Sequence, residues 1–331
     1  MHTPDLVIVT PALADANNGN WQTAHRWGGM LSEAYRVRLA SSWDGGDEDV
    51  MVALHARRSA ASVMMWRTLR PAAPLIVVLT GTDLYRDIES DSSAQASLES
   101  ADRLIVLNQL GAESLPEGLK SKARVVLQSC AARKTLPKTD QRLRALMVGH
   151  LRAEKSPQTY FDAASMLVGR PDILLDHIGA ALDPALGVQA TSLMAENPRY
   201  RWLGGLSHAT TRKRIQAAHV LVHPRRMEGG AHVVIEAVRS GTPLLASRID
   251  GNVGLLGENY DGYFPVGDAS ALATLLQRFR DEPAMLLHLQ RQCEERAPLF
   301  DPALESATLH SLIGEVLDAT APTPLTTRDT P

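Results

Sequence analysis

The sequence predicts an α/β protein made of two doubly wound, Rossmann-like domains that face each other across a cleft. Three observations predict it. Near-continuous apolar runs such as "LIVVLTG" (Leu75–Gly81) and "DRLIVLN" (Asp102–Asn108) read as strands of a parallel sheet covered on both faces. Amphipathic stretches alternate with these runs, which is the β-α-β pattern of a doubly wound sheet. The whole pattern then restarts near Leu143, after the polar, proline-bearing stretch 131–141, which reads as an interdomain linker. The expected organisation is therefore an N-terminal domain over 1–135 and a C-terminal domain over 142–300. A helix over 301–319 is expected to pack back on the N-terminal domain, and a Pro/Thr-rich tail over 320–331 to be disordered.

Taken in order, "LVIVT" (Leu6–Thr10) is a buried strand and "NNGN" (Asn17–Asn20) a turn. Ala24, Trp27, Leu31 and Ala34 stand at helical spacing, and "YRVRLA" alternates like a strand. In the second half, "LRALMVG" (Leu143–Gly149) is a strand. Ser156 and Pro157 suit the cap and first position of a helix running to Val168. "ILLDHIG", "YRWLG", "HVLVHP" and "PLLAS" follow as strands with helices between them. Ser207 suits the cap of the helix carrying "TTRKRIQAA", and Gly241 the stop after the helix that carries Glu236. Helices over Ala269–Arg280, Pro283–Glu295 and Pro302–Leu317 close the chain.

Composition mainly excludes. At 331 residues, 44% hydrophobic and 21% charged, the chain is ordinary for a globular protein of about two domains. Net charge is −3; residues 1–140 carry 15 basic and 16 acidic side chains, residues 141–331 carry 19 and 21. Neither half is polarised, which argues against a nucleic-acid partner and against stable membrane association. Cys130 and Cys293 are too few and too far apart for a disulfide scaffold or a zinc site. "MHTPDLVIVT" lacks the basic start of a secretory signal, and no run reaches about 18 apolar residues. The expected location is cytoplasmic.

In open α/β sheets ligands bind at the carboxyl ends of strands. That selects the loops 11–21, 81–87, 150–155 and 224–230. In the last of these, "HPRRMEGGAHVVIEAVRSGTPLLAS", Glu228 and Glu236 stand with seven residues between them, the first closing a Gly-rich turn and the second inside an apolar helix. Val233, Val234, Ile235, Ala237 and Val238 surround Glu236, so its carboxylate is expected to be buried, and a buried carboxylate needs a ligand or a partner. Gly229, Gly230, Ala231 and His232 open that helix, where small residues let backbone N–H groups approach a phosphate. Hydroxyl-binding acids beside a phosphate-binding helix end suit a nucleotide sugar.

The segments "VGHLRAEKSP", "AAHVLVHPRRMEGGAHVVIEAVRSGTPLLAS" and "IDGNVGLLGENYDGYFPVGDASALATLL" together resemble the GT-B glycosyltransferases of the large retaining family four. There the pattern runs V-G-R-L-x-x-x-K, P-S-x-x-E-G-F-G-x-x-x-x-E-A and A-G-x-P-V-V-A-S, with a late G-D loop. The N-terminal half matches more weakly, through the loop after its first strand and "GTD" (Gly81–Asp83). Within the family, "NNGNWQTAHRW", "LHARRSA", "LTGTDLY" and "RMEGGAHVVIEA" look most similar to the selenosugar synthase branch of selenoneine biosynthesis.

The resemblance implies that Glu236 grips ribose hydroxyls, that Glu228 meets the donor sugar, and that Lys155 holds the diphosphate and stabilises its departure. His150 stands where the family has an arginine and Arg225 where it has a serine. The second cation is therefore left open between Arg152 and Arg225. Glu228, Lys155 and Asn20 are expected to be catalytic. Glu236, Gly229, Gly230, Ala231, His232, His150, Arg152, Arg225 and Gly19 are expected on the donor side. Asn17, Asn18, His55, Arg57, Arg58, Thr82 and Asp83 are expected at the acceptor, a small multiply charged anion that suits guanidinium.

The implied reaction joins selenophosphate to the anomeric carbon of a UDP-sugar, with UDP-N-acetylglucosamine favoured. No cofactor is expected, because Lys155, arginines and a helix end can serve the diphosphate without a metal. The implied functional neighbours are a selenophosphate-producing enzyme and a selenoneine synthase. An ordinary transferase to a hydroxyl acceptor, a UDP-sugar epimerase and a non-catalytic nucleotide-sugar sensor are the alternatives.

Overall fold

The computed structural model describes residues 3–12 and 19–320. Its strands form two sheets, each six-stranded and parallel throughout. The first comprises β1 (Asp5–Val9), β2 (Arg36–Ala40), β3 (Val50–Leu54), β4 (Leu75–Leu79), β5 (Arg103–Val106) and β6 (Ala123–Val125), in the order β2-β1-β3-β4-β5-β6. The second comprises β7 (Leu143–Val148), β8 (Ile173–Ile178), β9 (Tyr200–Trp202), β10 (Val220–His223), β11 (Leu244–Ser247) and β12 (Tyr263–Phe264), in the order β12-β11-β10-β7-β8-β9. The central strands read as unbroken apolar runs because helices cover both faces. Every residue of β3, β4, β8, β10 and β11 is buried.

The chain divides into two compact units, and neither is one continuous stretch. Unit 1 takes residues 1–106, 115–126 and 306–331; unit 2 takes 107–114 and 127–305. The segment 131–141, expected as a linker, has no helix or strand but belongs to unit 2. Hydrogen bonds tie it down there: Arg133 N–H donates to Arg239 O at 2.9 Å and Gln216 Nε2 to Lys134 O at 2.8 Å. The final helix, Pro302–Thr320, starts in unit 2 and continues in unit 1. Leu309, Leu312, Ile313 and Val316 are buried along it, and Glu315 pairs with Arg103 and Arg124 of unit 1.

Strand order fixes where ligands belong. In the second sheet the order reverses between β7 and β10; in the first it reverses between β1 and β3. The crevice at the carboxyl ends of such neighbours is where open α/β sheets bind ligands.

Two local expectations are corrected. Gly19 and Asn20, read as turn residues, are the first residues of the helix Gly19–Leu31; Thr23 Oγ1 donates back to Gly19 O at 2.9 Å. Ser156 precedes the helix Pro157–Met166 but does not cap it. It sits in the left-handed region (φ +48°), and its buried Oγ makes no hydrogen bond. The 3-10 turn Ala153–Lys155 leads directly into the helix, and Ser156 absorbs the change of direction between them. Ser207 does cap its helix, accepting from Thr210 N–H, and Gly241 has φ +66° after the helix His232–Val238.

Candidate active site

At the switch point of unit 2, the loops after β7 and β10 bring two cations onto one carboxylate. Lys155 Nζ stands 3.2 Å from Glu228 Oε2, and Arg225 donates to the same oxygen from Nη1 at 3.0 Å. Arg225 also donates from Nη2 to Val148 O at 3.3 Å, so its guanidinium lies along the end of β7. Gly149 makes room for it: a Cβ there would stand 3.2 Å from Nη2. The Arg225 side chain is only 5% exposed and its Nε has no hydrogen-bond partner. Burial pushes its pKa down to about 10, against the opposing pull of Glu228. Two positive groups sharing one negative one leave an excess positive charge at this strand end, which suits an incoming anion.

Of the two arginines left open by the sequence, the structure brings Arg225 to this point. Arg152 makes no ion pair with Glu228; it is 44% exposed and stands 3.9 Å from Glu154, though its charge is still felt at His150 and Arg225. His150, in the family's arginine position, is not a cation. Its Nδ1 accepts from Ala180 N–H at 3.1 Å. Burial, with Arg152 and Arg225 nearby, lowers its pKa and keeps the ring neutral, leaving Nε2–H as a donor.

The Gly-rich turn is held tightly from behind. Asn108 Nδ2 donates to Gly229 O at 2.8 Å. A Cβ on Gly230 would meet Leu107 Cβ at 2.7 Å, and one on Gly251 would meet Glu228 O at 1.8 Å. Ala231 stands at the start of the helix His232–Val238 with no side chain capping it. His223, at the end of β10, is buried. Its Nδ1 bonds Asn252 Oδ1 at 2.9 Å while Nε2 has no hydrogen-bond partner, and burial lowers its pKa so the ring is neutral.

Glu236 is buried, 4% exposed, and two of its three partners, His208 and Arg212, are side chains that the sequence did not single out. His208 Nε2 donates to Oε1 at 2.6 Å, Arg212 Nε stands 3.5 Å away and His232 Nδ1 3.6 Å away. Burial alone would raise this carboxyl's pKa; the hydrogen bond from His208, with His232 beside it, holds it down at about 2. His208 and Arg212 share a helix 28 and 24 positions upstream of Glu236, so only the fold could disclose the grouping.

Unit 1 has its own strand-end cluster, after β3 and β4. His55 is buried with φ +72°, a conformation that side-chain-bearing residues rarely adopt. Its Nε2 bonds Thr82 Oγ1 at 3.1 Å and its Nδ1 accepts from Arg58 N–H at 3.4 Å. Burial lowers its pKa against the pull of Asp83, so the ring is neutral. Asp83 is engaged by the backbone, accepting from Ala56, Thr80 and Gly81 N–H at 2.8–2.9 Å. That buried carboxylate ties the two loops together. Arg57, 44% exposed, reaches Asp87 at 3.4 Å, and Arg58 is exposed. Asn17 and Asn18 lie outside the described residues, and Gly19 and Asn20 open their helix beside them.

Two parallel, doubly wound units with charged strand-end loops define the GT-B class of folds. Solved structures share it over nearly the whole chain. Sucrose-phosphate synthase from Thermosynechococcus elongatus has a TM-score of 0.75 at 17% identity, covering 96% of this chain and 100% of that one. Anabaena Alr3699/HepE, in complex with UDP and glucose, has a TM-score of 0.74 at 15% identity, covering 94% and 100%. At such identities the likeness is one of fold.

The family model for glycosyl transferases group 1 matches residues 128–299, just over half of the chain, and the chain belongs to that family. Two D-inositol 3-phosphate glycosyltransferases are similar in sequence. The one from Corynebacterium glutamicum is 31% identical over 185 residues, covering 51% of this chain and 43% of its own length. The one from Streptomyces avermitilis is 28% identical over 183 residues, covering 51% and 39%. The matched part is thus less than half the length of either relative. Among the described residues no helix is long and apolar enough to cross a membrane.

Proposed function

We propose that this chain is a nucleotide-sugar glycosyltransferase, with a UDP-sugar as donor and selenophosphate as acceptor. The observation that carries the donor half is the pair of cations, Lys155 and Arg225, gathered on Glu228 at the switch point of unit 2. In this reading the two cations take the diphosphate and the neutral His150 Nε2–H donates to it. Glu228, freed from them, turns to the sugar hydroxyls, and Glu236 takes the ribose diol. Departure of UDP develops charge on the β-phosphate, which a fixed ammonium and guanidinium stabilise more than they stabilise the bound donor. The N–H groups around Gly229–His232 add dipoles to the same site.

The acceptor half rests on unit 1. Arg57 and Arg58 stand beside its switch point, and Asn20 lies in the first turn of the helix that follows β1 in the chain. Selenophosphate is anionic and its selenium a soft nucleophile, so attack needs no strong general base. That agrees with His55, whose ring nitrogens are both hydrogen-bonded and which burial makes a weaker base. The selenium forms a bond to the anomeric carbon as the carbon–oxygen bond to UDP breaks. Water then cleaves phosphorus from selenium, giving phosphate and the 1-seleno-sugar. UDP-N-acetylglucosamine is the favoured donor and the cytoplasm the proposed location. The sequence relatives favour a second reading, in which a phosphorylated small-molecule hydroxyl is the acceptor, because both are named for an inositol phosphate.

The test is direct. Purified protein is incubated with UDP-N-acetylglucosamine and selenophosphate, and UDP and product mass are followed. UDP release that requires selenophosphate, with a seleno-sugar mass, is expected. Release with inositol phosphate or another hydroxyl acceptor, and none with selenophosphate, would establish the second reading instead.

A further inference from the structure

We propose that His208, His232 and Glu236 form a zinc-binding site that, when filled, excludes the nucleotide by taking the carboxylate its ribose needs. The exclusion rests on the donor reading above; the metal site itself does not. One ligand atom from each residue lies within 4.8 Å of the other two. His232 and Glu236 are one helical turn apart, a spacing that aims both at a single point.

The tautomers make the case. His232 Nε2 stands 3.1 Å from Ser129 O, and a carbonyl only accepts, so Nε2 carries the proton. With that proton on Nε2, a second one on Nδ1 is what lets His232 help hold Glu236 ionised; without it, Nδ1 turns a bare lone pair toward Oε1, 3.6 Å away. Two lone pairs facing each other repel unless a proton or a cation sits between them. A ring nitrogen anchored to a backbone carbonyl while the other points at a shared centre is the usual arrangement of a metal-ligating histidine. The anchor is itself fixed, since Ser129 donates to the buried Glu305 from both N and Oγ, at 2.8 and 2.5 Å.

His208 completes the set from the solvent side, its side chain 54% exposed, so an ion has a path in. A Zn2+ ion needs bonds of about 2.0–2.2 Å to such atoms. The 3.6 Å separation of Nδ1 and Oε1 already spans two such bonds. His208, now 2.6 Å from Oε1, must withdraw by less than about 1 Å, and its exposed position at the first residue of its helix permits that. Two imidazoles and a carboxylate with a fourth position for water suit Zn2+ and disfavour Mg2+, which prefers oxygen ligands. Arg212, 3.5 Å from the same Oε1, opposes a dication and keeps the binding reversible.

Isothermal titration with ZnCl2, against MgCl2 as control, tests the site in the full chain without nucleotide. One Zn2+ per chain is expected, with no Mg2+ bound there. His208→Gln should weaken Zn2+ binding by at least the roughly 10–100-fold that loss of an outer partner alone can cost. The circular dichroism and melting temperature of the same variant report that it is folded; His208→Asn repeats the test if it is not. Saturating UDP should weaken Zn2+ binding at least about tenfold, and Zn2+ should weaken UDP binding reciprocally. No Zn2+ binding by the wild type, or equal binding by the folded His208 variants, would overturn the site. Zn2+ and UDP bound together without mutual weakening would overturn the exclusion. If UDP does not bind while the His208 variants lose Zn2+, the metal site stands and the donor reading falls.

Discussion

Arg225 and Glu236 show how single side chains set the chemistry of unit 2. A buried guanidinium with an unpartnered Nε is a strained way to keep a charge, and Glu228 is its hydrogen-bonded counter-ion. Arg225→Met should therefore abolish the anion site and release Glu228 to Lys155 alone. Turnover with UDP-sugar is expected to fall about 10²–10³-fold, as for loss of a fixed transition-state donor, and Lys155→Ala to match it. Near-normal rates in both variants would remove these residues from the chemistry. Glu236 supplies a pH test. Its carboxyl, ordinarily near 4.5, is held down at about 2, so the ionised form contributes stability above pH 4.5 that is lost as pH falls toward 2. The contribution is on the order of 3 kcal/mol. In acid-unfolding curves, Glu236→Gln should lose stability less steeply than the wild type between about pH 4.5 and 2; parallel curves would mean that the His208 contact stabilises nothing.

At the scale of elements, the site depends on glycines that let backbone pass close to backbone. The helix Asp250–Leu256 presses on the Glu228 turn at Gly251, where a Cβ would stand 1.8 Å from Glu228 O. Gly251→Ala has to push that turn away. A stability loss of about 1–3 kcal/mol is expected, with a larger loss of turnover than of fold, read by comparing melting temperature with activity. Unchanged kinetics in a folded Gly251→Ala protein would show that the turn's position does not matter. The parallel strands were legible in sequence because burial on both faces leaves nothing but apolar residues, as in Leu75–Leu79 and Val220–Val222. The Glu228–Glu236 spacing was legible because both lie on one local turn and helix. Arg225 was only half legible: nothing in the chain says which of two arginines folds back over Gly149. His208 was illegible, since it meets Glu236 from another helix across 28 residues. Ser156 was misread because a Ser-Pro pair signals a cap, whereas its backbone here is left-handed after a 3-10 turn.

Among the described residues of the whole molecule, two hydrophobic cores share no residue, one lying in each unit. Helices cover both faces of each sheet, and if the two cores melt separately, a ligand stabilises the core whose side chains bind it. If UDP binds through Lys155, Arg225 and Glu236, its stabilisation enters unit 2 alone. At about 100 times its dissociation constant that amounts to about 2.7 kcal/mol. For a unit of this size it raises the melting temperature by roughly 5–10 °C. The tryptophans let the two units be read apart. Trp27, Trp43 and Trp66 are buried in unit 1, and Trp21 lies there too, whereas Trp202 is the single tryptophan of unit 2. Tryptophan fluorescence therefore reports mainly unit 1, and far-UV circular dichroism reports both units. UDP should leave the main fluorescence transition in place and shift a component of the dichroism melt upward. A fluorescence transition that moves with UDP as far as the dichroism does would mean that the two cores unfold as one. A fluorescence shift with none in the remaining dichroism would move the nucleotide site to unit 1 and away from Lys155.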